Sequence, residues 1–410
     1  MPDELTPLLG NVRLPSILGG NNNGNRIHYL DNLRSILIIS LILHHAVLET
    51  TQATAKVDLH SWNSVPLALF IQVNKSFLWT LFFLVAGFSS HLGFEKRALD
   101  HRFILSRILN LGLPAALWLG GGQFAVVSLL EYYGLHSVFP LGWTHDVQAR
   151  LAGPVPFICV LLVFDIVHFA WRISQNYLRS IPHWWLVRRI ATSKPAIYLF
   201  TGASIVFYTI IAFFSIFWVR KTYPAVYDIF QVPSQPIGFV IAYIAGINFR
   251  IIKKVIKVEH HIAALVGTQA TAYVSLGIAQ HFSPLLWENI RLGDCSEPRR
   301  VFVDPGFNFH TMFYVVWSTC VLFVLPITMM SAFSKNVVTK KNWGDWTRLT
   351  YVQTYFHMIP VLIGVHYIGR GGVFGDGIIK SLTVGVIGVL SSWMVAHIPS
   401  GLRWLQNKAK

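Results

Sequence analysis

The residues best suited to chemistry in this sequence sit inside its most apolar stretches. The first such stretch opens Tyr29-Leu30-Asp31-Asn32-Leu33-Arg34 and ends at His44-His45. Asp31 stands where a helix N-cap would, and its charge suits the positive end of a helix dipole. Arg34 falls at the inner boundary of the stretch, and His45 follows eleven residues later. Eleven residues are about three helical turns, so Arg34 and His45 project from nearly the same face, with His45 about 16 Å deeper. His44 points about 100° away. A histidine at bilayer mid-depth is costly unless it faces protein or water, which makes this pair a functional candidate. Neutral imidazole is a natural general base for activating a hydroxyl. A boundary arginine is a natural clamp for a phosphate-bearing cofactor arriving from the cytoplasm.

Other polar groups share this setting. His357 lies about ten residues into a later apolar run and is the second candidate for an active cavity. Asp165 and His168 are spaced i, i+3 and can touch, as a proton relay or as a structural pair. His310 and His366 fall near outer ends and read as interfacial, and Lys75 reads as snorkelling outward. Asn74-Lys75-Ser76 is a glycosylation sequon too close to the membrane to be used. Arg97, Arg102 and Arg107 crowd one inner connection.

These side chains need elements that hold them at depth. The 410 residues are 53% apolar and only 12% charged, against roughly 25% charged in soluble domains, so lipid must solvate part of the surface. Ten apolar runs reach or approach spanning length, near 33–50, 65–90, 104–130, 154–171, 196–219, 237–256, 260–281, 308–331, 350–369 and 377–398. The third holds Pro114 and Gly120-Gly121-Gly122 and is expected to kink or break. With the N-terminus inside, the inner segments collect 23 of the 33 lysines and arginines, while Glu131, Asp146, Glu288, Asp294, Glu297 and Asp304 fall outside. The expectation is an all-α, polytopic membrane protein with both ends in the cytoplasm. Residues 1–30 form a polar tail with an acidic dileucine-like segment, 31–399 the membrane domain, and 400–410 a second cytoplasmic tail. The net charge of +15 is dispersed between apolar runs rather than gathered in a patch, so no nucleic-acid partner is expected. Three scattered cysteines make no disulfide framework, there is no Cys-x-x-Cys pair, and no metal is expected. Cys159 and Cys320 lie in apolar runs and read as packing residues.

Asp31, Arg34 and His45 fall on a Leu-Asp-x-Leu-Arg and Arg-x10-His pattern that resembles the acyltransferase 3 family of membrane acyltransferases. Leu81-Phe82-Phe83-Leu84-Val85-Ala86-Gly87-Phe88 is similar to that family's Phe-Phe-x-x-Ser-Gly-Phe element, with Ala86 in place of serine. Arg102-Phe103-(x3)-Arg107-(x6)-Pro114 is similar to its basic approach to the third span, with wider arginine spacing. Thr350-Tyr351-(x5)-His357 resembles its Ser-Tyr-(x5)-His, with Thr354 where a second tyrosine is usual. The resemblance implies ten spans, N-in and C-in. It implies transfer of an acyl group, commonly acetyl, from cytosolic acyl-coenzyme A to a hydroxyl of a sugar or other small-molecule acceptor. His45 would be the base, with His357 the second choice for the active cavity and neighbouring His44 a further catalytic candidate; Arg34 would orient the base or bind donor, and Arg97, Arg102 and Arg107 would meet the donor phosphates. Two other readings stay open. Intramembrane His and Asp residues and a glycine-interrupted helix also suit a secondary transporter, although no matching broken helices occur in two halves. A non-catalytic relative of the same fold would tolerate Ala86 and Thr354. The acceptor, the acyl length, the oligomeric state, and the host membrane (plasma membrane or endomembrane) are open at this stage.

Overall fold

The computed structural model describes residues 27–53, 64–97, 101–132, 134, 151–178, 193–214, 234–255, 309–347, 349–369 and 377–408. Nearly all of them are helical, and no strand occurs among them. The helices are α1 (His28–Ala53), α2 (Ser64–Arg97), α3 (His101–Tyr132), α4 (Val155–Leu178), α5 (Lys194–Phe214), α6 (Ser234–Ile247) and α7 (Phe249–Val255). They continue with α8 (Phe309–Lys335), α9 (Val337–Lys340), α10 (Thr350–Phe356), α11 (Met358–Gly364) and α12 (Gly377–Lys408).

Among the described residues, six helices are long and apolar enough to cross a membrane: α1, α2, α3, α4, α8 and α12. Shorter apolar stretches lie at Gly202–Phe214, Pro236–Ile247 and Met358–Ile368. Nine of the ten expected runs thus fall on apolar helices, and the run at 260–281 lies outside the described residues. Leu117, Tyr132, Leu199, Ile210, Leu382 and Met394 are each more than half exposed. An apolar belt on this scale is stable against acyl chains and aggregates in water. The protein is an all-α membrane protein.

Several local expectations change. α1 begins at His28, so Asp31 is inside the first turn rather than capping it, and its carboxylate pairs with Arg34. The apolar pattern marks where the apolar span begins, whereas the helix itself starts earlier, at His28. α12 runs on to Lys408, through the segment expected to be a tail. Cys159 and Cys320 are exposed on their helices rather than packed inside. Asn74 is buried within α2, which removes its sequon from any surface. The dileucine-like segment, the tail up to residue 26 and Cys295 lie outside the described residues.

α3 bends without breaking. Pro114 offers no N–H to the carbonyl of Asn110, and glycine triads hold a helix weakly. Beside each, the helix widens into a π-helical turn, at Ile108–Gly112 and at Trp118–Gly122. The Tyr351 hydroxyl donates to the carbonyl of Leu111 in the first of these turns, at 3.3 Å. Such turns free backbone groups that a neighbour must satisfy in lipid.

α1, α2 and α8 are the most enclosed spans, with 56–61% of their apolar windows buried against 22–33% for α3, α4 and α12. Two glycines set a very close crossing of α2 and α6. A Cβ on Gly246 of α6 would overlap the carbonyl oxygen of Leu84, and one on Gly87 of α2 would overlap that of Tyr243. Small residues at such a crossing let two backbones meet in lipid. The interface is sealed by Phe83, whose ring lies 4.7 Å from both Phe157 and Phe239. Gly246→Val is therefore expected to cost more than the roughly 1–3 kcal/mol of ordinary overpacking, because the clash is with backbone. Thermal unfolding of the purified variant checks this; a wild-type Tm would mean that α2 and α6 do not meet there.

Candidate functional site

Two helices distant in sequence bring histidines together. His44 and His45 lie about two-thirds of the way along α1, and His357 lies at the junction of α10 and α11. Pro360 causes that junction, since it has no N–H for the carbonyl of Phe356. The ladder persists on either side of the gap, from His357 N–H to Gln353 O at 3.0 Å and from Val361 N–H to His357 O at 3.4 Å. The ring centres of His45 and His357 are 5.3 Å apart, and those of His44 and His45 are 5.7 Å apart. His357 is 2% exposed, His44 is buried, and His45 is half-buried. The Nδ1 of His357 lies 2.9 Å from the carbonyl oxygen of Thr354. Its Nε2, like the Nδ1 of His44, is buried with no hydrogen-bond partner among the described residues. The apolar cluster around them includes Ile42, Ala46, Met358, Val361 and Val384. Gly388 of α12 completes the enclosure, since a Cβ there would press on Val361 and Ile42.

Nearer the start of α1 the arginines are held by consecutive serines of α2. Arg34 pairs with Asp31 at 3.1 Å and donates to Ser89 Oγ at 2.5 Å. Arg107 donates to Ser90 Oγ at 2.7 Å, and Ser90 donates in turn to Asp165 Oδ1 at 2.6 Å. Arg107 Nε also sits 3.1 Å from Asp165 Oδ2, a close ion pair without hydrogen-bond alignment. The Tyr243 hydroxyl donates to Asp165 Oδ1 at 2.6 Å and lies 3.5 Å from His168 Nδ1. Asp165 is completely enclosed, so its charge is tolerable only because a cation and two hydroxyls converge on it. The Gly87–Gly246 crossing is what brings Tyr243 of α6 within reach.

The start of α1 is anchored as well. Asn32 is buried and donates from Nδ2 to the carbonyls of Thr339 and Lys341, each at 2.7 Å. This fixes the start of α1, and with it Arg34, against the segment that follows α8.

The arrangement joins His44, His45 and His357 in one group and places Arg34 and Arg107 on adjoining serines. Arg102 points to the surface, and Arg97 ends α2 with its side chain outside the described residues. Asp165 and His168 do not pair directly as their spacing suggests; they share the Tyr243 hydroxyl. Ser89, Ser90, Asn32 and Tyr243 escaped the sequence reading. Ser89-Ser90 is a polar doublet in an apolar helix and was a readable signal, whereas nothing local distinguishes Tyr243 from a core aromatic. No protein-family model matches this chain, and no curated protein and no solved structure matches it.

Proposed function

We propose that the protein is a ten-span integral membrane O-acyltransferase with both ends in the cytoplasm, related to the acyltransferase 3 family. It would move an acyl group, commonly acetyl, from acyl-coenzyme A to a hydroxyl of a sugar or other small molecule. The observation that carries this reading is the meeting of His45 with His357 beside a buried apolar cluster. Half-buried His45 removes the proton from the acceptor hydroxyl, whose oxygen attacks the thioester carbonyl. The carbon–sulfur bond then breaks, and the leaving thiolate takes the proton back from His45. Arg34, restrained by Asp31 and Ser89, faces the inner end where a polyanionic donor would approach. Arg102 and Arg97 would add long-range attraction for its phosphates, and Arg107 keeps a quarter of its side chain open beside them.

The enclosed Asp165–Tyr243–His168 chain favours the other reading, a secondary transporter moving protons through that relay. One experiment separates the two. Purified protein is given acetyl-labelled acetyl-coenzyme A and a panel of polyols, with no ion gradient. Free thiol release coupled to acetylated product is expected. Absence of both, together with gradient-driven solute uptake in vesicles, would leave the transporter. A reporter fused after Lys410 should read cytoplasmic in either case.

A further inference from the structure

We propose that Lys253, Lys335 and Lys340 form a binding site for an anionic phospholipid whose headgroup carries a phosphate monoester. The site lies apart from the histidines and holds whichever chemistry they perform. Its three cations come from three elements. Phe249 of α7 is enclosed in the same apolar cluster as Met330 of α8, with Phe333 packed against it. Lys253 stands one turn beyond Phe249, and Lys335 ends α8 two residues after Phe333. Lys340 ends α9. Thr339 beside it donates from Oγ1 to the carbonyls of Phe333 and Asn336, which holds α9 against the end of α8. The three side chains are near enough that the charges of Lys340 and Lys335 both oppose that of half-buried Lys253. None of the three makes an ion pair among the described residues, and Asp31 and Glu95 at this end of the bundle are engaged by Arg34 and Arg250. Like charges gathered without a counterion repel, and an anion between them removes the penalty.

Depth and surroundings select the anion. The apolar span of α8 ends at Lys335, which puts these ammonium groups at the edge of the hydrocarbon, where headgroups lie. Val337 and Val338, between Lys335 and Lys340, are 69% and 59% exposed. Acyl chains cover such valines, whereas a soluble phosphate leaves them in water. The turn that carries them is held in place. Asn336 caps α9 by accepting from the Val338 N–H, and Trp343 donates to the Val338 carbonyl at 3.1 Å. Asn32 of α1 holds the carbonyls of Thr339 and Lys341 from the other side. Cations fixed in this way lose little freedom when the ligand arrives. A phosphodiester brings one negative charge and a monoester nearly two, so the monoester balances three lysines better.

The test titrates fluorescent short-chain phosphatidic acid into full-length protein in neutral detergent. Phosphatidic acid is expected to bind more tightly than the phosphatidylglycerol analogue, and that more tightly than phosphatidylcholine. Each lysine near the surface is worth about fivefold in affinity, so Lys340→Gln should weaken binding about fivefold. Lys253→Gln, Lys335→Gln and Lys340→Gln combined should weaken it about 100-fold. Lys380→Gln is the charge-matched control. It lies at the opposite end of the bundle, one turn from Gly377, which meets Leu67 near the start of α2, and it should bind as wild type does. Four results would overturn the proposal: equal binding of the three lipids, wild-type affinity in the triple variant, the same loss in the control, or displacement of the lipid by an equal concentration of coenzyme A or inorganic phosphate. The last would make the site one for soluble phosphates. If the triple variant fails to fold, the Lys340→Gln result decides.

Discussion

His45→Ala should abolish the proposed acyl transfer while leaving the protein folded and monodisperse. A positioned general base contributes about 10²–10⁴ in rate. His357 is fully enclosed with its Nδ1 committed to Thr354, and His44 points to another face of α1. The loss should appear in kcat, because the donor phosphates are expected to be held some three helical turns away, near Arg34. Since His45 is half-buried, truncation leaves only a small gap, and Tm should fall by little. Single-turnover transfer with saturating acetyl-coenzyme A is the measurement. Retained activity in His45→Ala would remove this histidine from the mechanism.

The second large effect concerns stability. Arg107→Ala should destabilise the protein by about 3–5 kcal/mol, the usual consequence of leaving a buried charge without its partner. The same principle predicts an asymmetry. Asp165 is wholly enclosed, whereas the Arg107 side chain is 24% exposed, so an abandoned carboxylate is worse off than an abandoned guanidinium. Asp165→Asn should cost less than Arg107→Ala, since the amide oxygen still accepts from Ser90 and Tyr243. Replacing both charges with apolar groups, Arg107→Met with Asp165→Leu, should recover much of the loss. The order of Tm values across the three variants checks the network. Equal Tm for Arg107→Ala and wild type would mean that the ion pair does not form.

The two effects involve different parts of one helix bundle. His45 is tied to α10 and α11 on one side of α1, while Arg107 and Asp165 join α3, α4 and α6 against α2. α1 and α2 connect them through Arg34 and Ser89. A variant in the ion-pair network that lowers Tm without changing the kcat of the surviving protein would place that network in architecture rather than chemistry.

Hydropathy and helical rise are local quantities, and they located the apolar spans and the irregularity at Pro114 and the glycine triad. Each follows from a residue's neighbours in the chain, because the bilayer imposes length and polarity on every span separately. Pairings obey no such rule. Packing in three dimensions is what turned His357 toward His45, gave Asp165 to Arg107 and Tyr243 rather than directly to His168, and made Gly87 and Gly246 reciprocal. A buried polar group takes whichever partner the crossing of helices supplies, and that crossing depends on small residues far apart in the chain, which a single span cannot reveal.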